Sequence, residues 1–275
     1  MTKYVEELIA IIRGNLSREE LIDRLFDYHD NDIAEALELL TPEERKRLYS
    51  ALGAERVAEI FTVEGMKELD SYSDSYDNQM DAYLDDGDIY LKELSLKQQA
   101  KVISEMDSDD AVDILEEVDD DTKCKILGML DKEASEDVRL LLSYDEDEIG
   151  SYMTTNFILI HNDLTVREAM RELVRQAGEN DNISTIYVVD RQEQYYGAIE
   201  LQDLIIAREH VELEDLISRS YPFVMDHEKI SDCIEKIKDY AEDSIPVLQE
   251  DGTIAGIITS QDIVEAVDDE MGEDY

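Results

Sequence analysis

Carboxylates are what this chain has in surplus, and two stretches place them where their spacing matters. In Asp107-Ser-Asp-Asp-Ala-Val-Asp-Ile-Leu115, Asp109 and Asp113 fall one helical turn apart, so both carboxylates lie on one helix face. Like charges at that spacing repel by a few tenths of a kcal/mol, a cost that a bound cation reverses. The final stretch, Asp262-Ile-Val-Glu-Ala-Val-Asp-Asp-Glu-Met-Gly-Glu-Asp274, sets Ile263, Val264 and Val267 on one stripe. Asp262, Glu265, Asp269 and Glu273 lie mostly on the other side, and no base follows Lys238. Acids near a helix C-terminus oppose the macrodipole, so this helix is expected to fray without a cation. Carboxylate oxygen suits a hard cation such as Mg2+, which keeps several waters and takes one or two direct carboxylates.

Other chemistry is thin. His29, His161, His210 and His227 share no metal-binding spacing with one another or with Cys124 and Cys233, which argues against zinc. Both cysteines sit in apolar helical patterns and are expected to be reduced core residues. No Gly-rich phosphate loop, nucleophile elbow or Ser/His/Asp set is present, so an enzyme reading has no residues to stand on.

The composition points the same way. Of 275 residues 71 are acidic and 25 basic, a formal charge of −46. A chain of this charge repels nucleic acid and anionic membranes, and its natural partners are cations. A hydrophobic share of 43% is too high for disorder. The N-terminus has acids where a signal peptide has a basic end, and no stretch approaches the ~20 apolar residues that cross a bilayer. As given, the chain is expected to be soluble and cytoplasmic. A plainer account of the acid is a solvated surface in a salt-adapted organism.

Two internal repeats supply the elements that must position these groups. Ile186-Tyr-Val-Val … Gly197-Ala-Ile-Glu-Leu-Gln-Asp203 returns fifty-nine residues later as Ile245-Pro-Val-Leu … Gly256-Ile-Ile-Thr-Ser-Gln-Asp262. Each copy reads as helix, strand, turn, strand and helix, one α/β unit built twice. Pro246 is expected to start its strand, because its missing N–H weakens a central ladder. The first half has a period of twelve: Leu16, Tyr28, Leu40 and Leu52, then Leu94, Met106, Val118 and Leu130. Cap candidates follow in Ser17, Thr41, Ser95, Asp107, Asp119 and Asp131. Helices of about two turns are unstable alone, so they are expected to stack into a superhelical array. The phase slips between the two runs, around the polar stretch Glu68–Asn78, which is expected to be irregular.

The second half resembles a tandem pair of cystathionine-β-synthase (CBS) domains. The whole chain resembles the cytosolic part of MgtE-type magnesium transporters, on the twelve-residue array, the paired module and the junction Leu141-Leu-Ser-Tyr-Asp-Glu-Asp-Glu-Ile-Gly-Ser-Tyr-Met-Thr-Thr155. The resemblance implies a fold of α plus α/β type: a superhelical N-domain over 1–150, CBS domains over 151–213 and 214–264, and the start of a connecting helix over 265–275. It also implies a homodimer formed through the CBS faces, on the cytoplasmic side of a membrane, serving a pore domain that these residues do not include. Mg2+ held between carboxylates of the N-domain, the CBS pair and the connecting helix would favour a compact, pore-closed form.

By that resemblance the metal ligands are Glu59, Asp109, Asp113, Asp262, Glu265, Glu270, Glu273 and Asp274. One position departs: Ala241 stands where the family has an acid, with Glu242 and Asp243 following. The CBS motif Gly-h-h-Thr/Ser-x-x-Asp, used for adenosine nucleotides in many such domains, is met by Thr259 and Asp262 in the second copy. The first copy has Glu200 where the hydroxyl would be, and a carboxylate there repels phosphate. The readings that compete with a Mg2+ sensor are therefore a nucleotide-binding regulatory module and an acidic interaction scaffold.

Overall fold

The computed structural model describes residues 3–62, 90–145, 147–178, 180, 182–208, 210–233, 242–260 and 262–263. Two compact units emerge: Met1–Met106 with Asp110–Glu136, and Asp107–Asp109 with Asp137–Tyr275.

The first unit is helical. Its helices are α1 (Lys3–Arg13), α2 (Arg18–Leu25), α3 (Asp30–Leu37), α4 (Pro42–Leu52), α5 (54–62) and α6 (Leu96–Ile103), with α8 (Asp120–Leu127). Helices α7 (Ser108–Glu116) and α9 (Lys132–Leu141) pass from one unit's residues to the other's. From α2 to α5 each helix starts twelve residues after the last, and α6 to α9 keep the same step. The period therefore measures one short helix plus its turn.

The caps explain why the chain breaks there. Ser17 and Thr41 each accept from the N–H three residues on, and Glu20 and Glu44 reach back to close capping boxes. Asp119 accepts from the Thr122 N–H at 3.1 Å and Asp131 from the Ala134 N–H at 3.0 Å. Apolar faces carrying Val5, Leu8, Ile12, Leu21, Leu25, Ile33, Leu37 and Leu48 pack into a buried core.

Three arginines close the opposite helix ends. Arg47 donates to the carbonyls of Ile12, Gly14 and Leu16, each at 2.7 Å. Arg45 donates to Leu37 O and Leu40 O, and pairs with Glu93 through both guanidinium edges. Arg56 donates to Leu25 O and Tyr28 O while pairing with Asp30 at 2.7 Å. Carbonyls left over at a helix C-terminus attract cations, so several of the chain's few bases serve the backbone.

The second unit contains two three-stranded sheets of the same design. Strands β1 (Ile158–His161), β2 (Thr185–Val189) and β3 (Tyr195–Glu200) pair in the order β1-β2-β3, parallel then antiparallel. Strands β4 (Val224–Met225), β5 (Ser244–Leu248) and β6 (Ile254–Thr259) repeat it. Ile186 opposes Ile199 and Val188 opposes Gly197; fifty-nine residues on, Ile245 opposes Ile258 and Val247 opposes Gly256. The first sheet packs its inner face on α10 (Val166–Gln176) and α11 (Leu201–Ile206), burying Ile158, Ile186, Val188, Ala169, Leu173 and Leu204.

Each third strand also takes a strap from another segment. Ser218 bridges Ala198 in β3, and Thr154 bridges Ile257 in β6 through N–H···O bonds of 2.8 and 2.9 Å. This crossing is what the two motif glycines serve. A Cβ on Gly197 would lie 2.6 Å from Ser218 O, and one on Gly256 would lie 2.7 Å from Thr154 O. The junction residues join the same unit: Ile149 and Gly150 donate backbone N–H to Glu228 O and Asp226 O at 2.9 Å, and the Tyr144 hydroxyl donates to Asp226 Oδ2 at 3.1 Å.

Two sequence expectations are corrected. Pro246 lies in the middle of β5, the central strand, not at its start. It is tolerated because β4 pairs only from Val247 onward, and Ile257 opposite gives its N–H and C=O to Thr154 instead. Cys124 is exposed, whereas Cys233 is buried as expected. The stretch 68–78 and position 241 lie outside the described residues.

Candidate cation site

The second unit buries a carboxylate whose setting the sequence spacing did not show. Asp262 lies in the first turn of the helix after β6 and is only 6% exposed. The Thr259 N–H donates to Asp262 Oδ2 at 2.6 Å, and the Asp262 N–H donates to Thr259 Oγ1 at 3.4 Å, a reciprocal cap. Burial pushes the Asp262 carboxyl above its ordinary range, the bonds from Thr259 oppose that, and the charge of Asp107 adds to the rise. A buried carboxylate set against a second one calls for a counter-charge.

Asp107 is held in place by the strap. Asn156 Nδ2 donates to Asp107 Oδ1 at 2.6 Å. The backbone N–H of Thr155 donates to the Ser108 hydroxyl at 3.0 Å, and the Thr155 and Ser108 hydroxyls are 3.2 Å apart. Ser108 is buried and begins α7, so the strap grips the helix turn that carries Asp109. Asp109 is half-buried on that turn, and Asp113 is exposed one turn later.

Glu59 is exposed on α5 in the first unit. Desolvation first, then the charge of and a hydrogen bond with Asp30, raise its carboxyl above the usual range, while Arg56 acts the other way. Asp30 is thus shared between Arg56 and Glu59. Glu265, Glu270, Glu273 and Asp274 lie outside the described residues. Among the described residues, no three of His, Cys, Asp and Glu converge tightly enough to hold a metal ion. The donor chemistry that is present, carboxylate with amide and hydroxyl oxygen, is that of Mg2+ rather than of zinc or copper.

Thr259 and Asp262 are engaged with each other, as a helix cap requires. The corresponding end of the first repeat is a cleft of about 520 Å3, lined by Thr185, Glu200, Gln202, Ile205, Glu242 and Asp243 among others. Three carboxylates and no base line it, which sets its field against phosphate.

The model of the MgtE intracellular N domain matches residues 79–147, and that of the CBS domain matches 149–210 and 213–269. The chain is an MgtE N domain joined to a CBS pair. It is homologous to the magnesium transporters MgtE of Enterococcus faecalis, 34% identical over 52% of this chain and 32% of that protein, and of Thermus thermophilus, 29% over 54% and 33%. The chain thus spans about a third of the length of these curated relatives. In structure it is similar to the soluble part of a magnesium transporter, with a TM-score of 0.84 over 98% of both chains at 28% identity. It is also similar to the cytosolic domain of the Mg2+ channel MgtE solved in complex with ATP, with a TM-score of 0.75 over 90% of this chain and 94% of that one at 25% identity. The MgtE-type N domain and CBS pair, in α plus α/β form, are as the sequence motifs implied. Among the described residues no helix is long and apolar enough to cross a membrane.

Proposed function

We propose that this chain is the Mg2+-sensing and gating region of a magnesium transporter or channel, a regulatory part with no catalysis of its own. The observation that carries this is the buried carboxylate of Asp262, in a chain of charge −46. Without a cation such carboxylates repel; Mg2+ bound by carboxylates of both units, Asp109 and Asp113 among them, favours the compact state and a closed pore. The partners are Mg2+, a transmembrane pore domain and a second copy joined through the CBS domains. The place is the cytoplasmic side of the cell membrane, and the working domains are 1–150, 151–213, 214–264 and 265–275. A nucleotide-binding role is disfavoured by the acidic lining of the first-repeat cleft, which includes Glu200, and by the mutual engagement of Thr259 and Asp262.

Limited proteolysis separates specific binding from screening, because screening does not depend on which ion supplies the ionic strength. Millimolar MgCl2 is expected to slow cleavage of the native chain several-fold, NaCl at equal ionic strength to leave it unchanged, and Asp109→Ala/Asp113→Ala to lose the Mg2+ effect. Equal protection by both salts would make the acid a solvated scaffold surface.

A further inference from the structure

The junction segment that follows α9 is clasped to the stretch just after β4, across 79 to 82 residues of chain. Three backbone bonds cross the clasp. Ile149 and Gly150 donate to Glu228 O and Asp226 O at 2.9 Å, and Ile230 donates back to Asp147 O at 3.0 Å. Lys229 pairs with Asp147, and the Tyr144 ring lies 5.2 Å from that of His227, centroid to centroid.

His227 sits between two carboxylates. Its Nδ1 is 3.0 Å from Glu148 Oε1, and its Nε2 is 3.9 Å from Asp226 Oδ2. A neutral imidazole carries one N–H, so serving Glu148 through Nδ1 leaves the Nε2 lone pair turned toward the Asp226 carboxylate. An imidazolium carries a proton on both nitrogens and is attracted to both sides. Asp226 is only 5% exposed, which leaves its charge poorly screened. The other groups facing the ring are Glu250, from the turn after β5, and the Tyr144 hydroxyl, which donates to Asp226 Oδ2. Desolvation first, then the charge of Asp226, pushes that hydroxyl up to about 12, so it stays a neutral donor near pH 7. Bonds from the Asp145 N–H and then from His227 hold the Glu148 carboxyl below its usual range, so it stays ionised.

We propose that His227 makes this clasp a pH-responsive latch: its imidazolium ties the junction to the second repeat, and loss of the ring proton loosens the hold. The proton is then an input separate from Mg2+, acting on residues that the Mg2+ reading does not use. The hydrogen bond with Glu148, followed by the charges of Asp226, Glu148 and Glu250, raises the ring above its ordinary 6.5, while desolvation acts the other way. A raised folded value means that the contribution is complete below 6.5 and is lost as pH climbs through the folded value. The latch therefore holds in acid and slackens in mild alkali.

The test is amide hydrogen exchange of the whole chain in Mg2+-free buffer, from about pH 6 to about pH 8.5, a range that brackets histidine titration. Rates are expressed as protection factors, which removes the pH dependence of exchange itself. In the native chain, protection at Ile149, Gly150 and Ile230 is expected to fall roughly threefold over that range, the scale of an exposed ion pair. Protection at Ala198, whose N–H donates to Ser218 O in the first repeat, is expected to hold. His227→Gln is expected to show the lower protection at both ends of the range, and His227→Arg, with its fixed charge, the higher. Protection in the native chain that does not change with pH overturns the latch, as does a fall that His227→Gln retains. A fall that Ala198 shares in full overturns it too, because the change then belongs to global stability.

Discussion

Replacing Gly256 with alanine is expected to lower the melting temperature of the second unit by roughly 10 °C, an effect of about 3 kcal/mol. The added Cβ would sit 2.7 Å from Thr154 O and 2.8 Å from Met153 Sδ, closer than real Cβ atoms come. The Thr154 carbonyl has no room to retreat, because it accepts the Ile257 N–H at 2.9 Å, and Met153 is fully buried. Either the strap leaves the strand, losing two backbone hydrogen bonds, or the sheet deforms. Gly197→Ala meets Ser218 O at 2.6 Å and should behave alike, by the internal symmetry of the unit. Gly178→Ala is the control, since a Cβ there meets nothing within 4 Å. Thermal denaturation followed by circular dichroism decides the matter; a Gly256→Ala chain melting with the native one would mean that the strap is not held as described.

The second large effect concerns charge. Asp262→Asn is expected to stabilise the Mg2+-free chain at pH 7 by about 1 kcal/mol, because it removes an ionised group from a buried site while keeping an oxygen for the Thr259 N–H. The pH dependence follows from the direction of the shift. The folded carboxyl binds its proton more tightly than the ordinary value of 3.8 allows, so ionised Asp262 costs stability. That cost is absent below 3.8, grows as pH rises, and is complete above the raised folded value. The advantage of Asn over Asp should therefore fade as pH falls toward about 4, measured by urea denaturation across pH. In millimolar Mg2+ the order should reverse, because only the native carboxylate gains from the ion. Asp262→Asn destabilising at every pH, with or without Mg2+, would make Asp262 an ordinary helix cap.

How much of this was legible in the sequence depends on whether a feature is local. The twelve-residue helical step could be read because Leu16, Tyr28, Leu40 and Leu52 mark each turn and Ser17 and Thr41 announce the helices that follow. The doubled sheet could be read because both copies keep the same register, glycine included. Strands β1 and β4 were missed: four and two residues are too few to show a period. Pro246 misled because the rule against proline in a central strand depends on a neighbour's length, which only the fold reveals. Cys124 misled because an apolar pattern around a residue does not place its own face inward.

The site divides the same way. Asp109 and Asp113 sharing a face is a matter of helical spacing, and Glu200 breaking the motif is visible by alignment of the two copies. The burial of Asp262, and the grip of Asn156 on Asp107 across forty-nine residues, depend on the fold, and no spacing encodes them. The arginine caps were missed for the same reason: Arg47 serves carbonyls of Ile12, Gly14 and Leu16 across more than thirty residues. The glycine motif was a partial signal, since Gly256 marks a close backbone approach without saying which segment approaches.

Whether the carboxylates answer to Mg2+ itself is settled by small-angle X-ray scattering of the native chain through a MgCl2 titration, with NaCl matched for ionic strength at each point. A radius of gyration that falls at millimolar Mg2+ and stays constant in NaCl is the expected result, and Asp109→Ala/Asp113→Ala should abolish the fall. The same contraction in both salts, or none in either, would contradict a Mg2+ sensor.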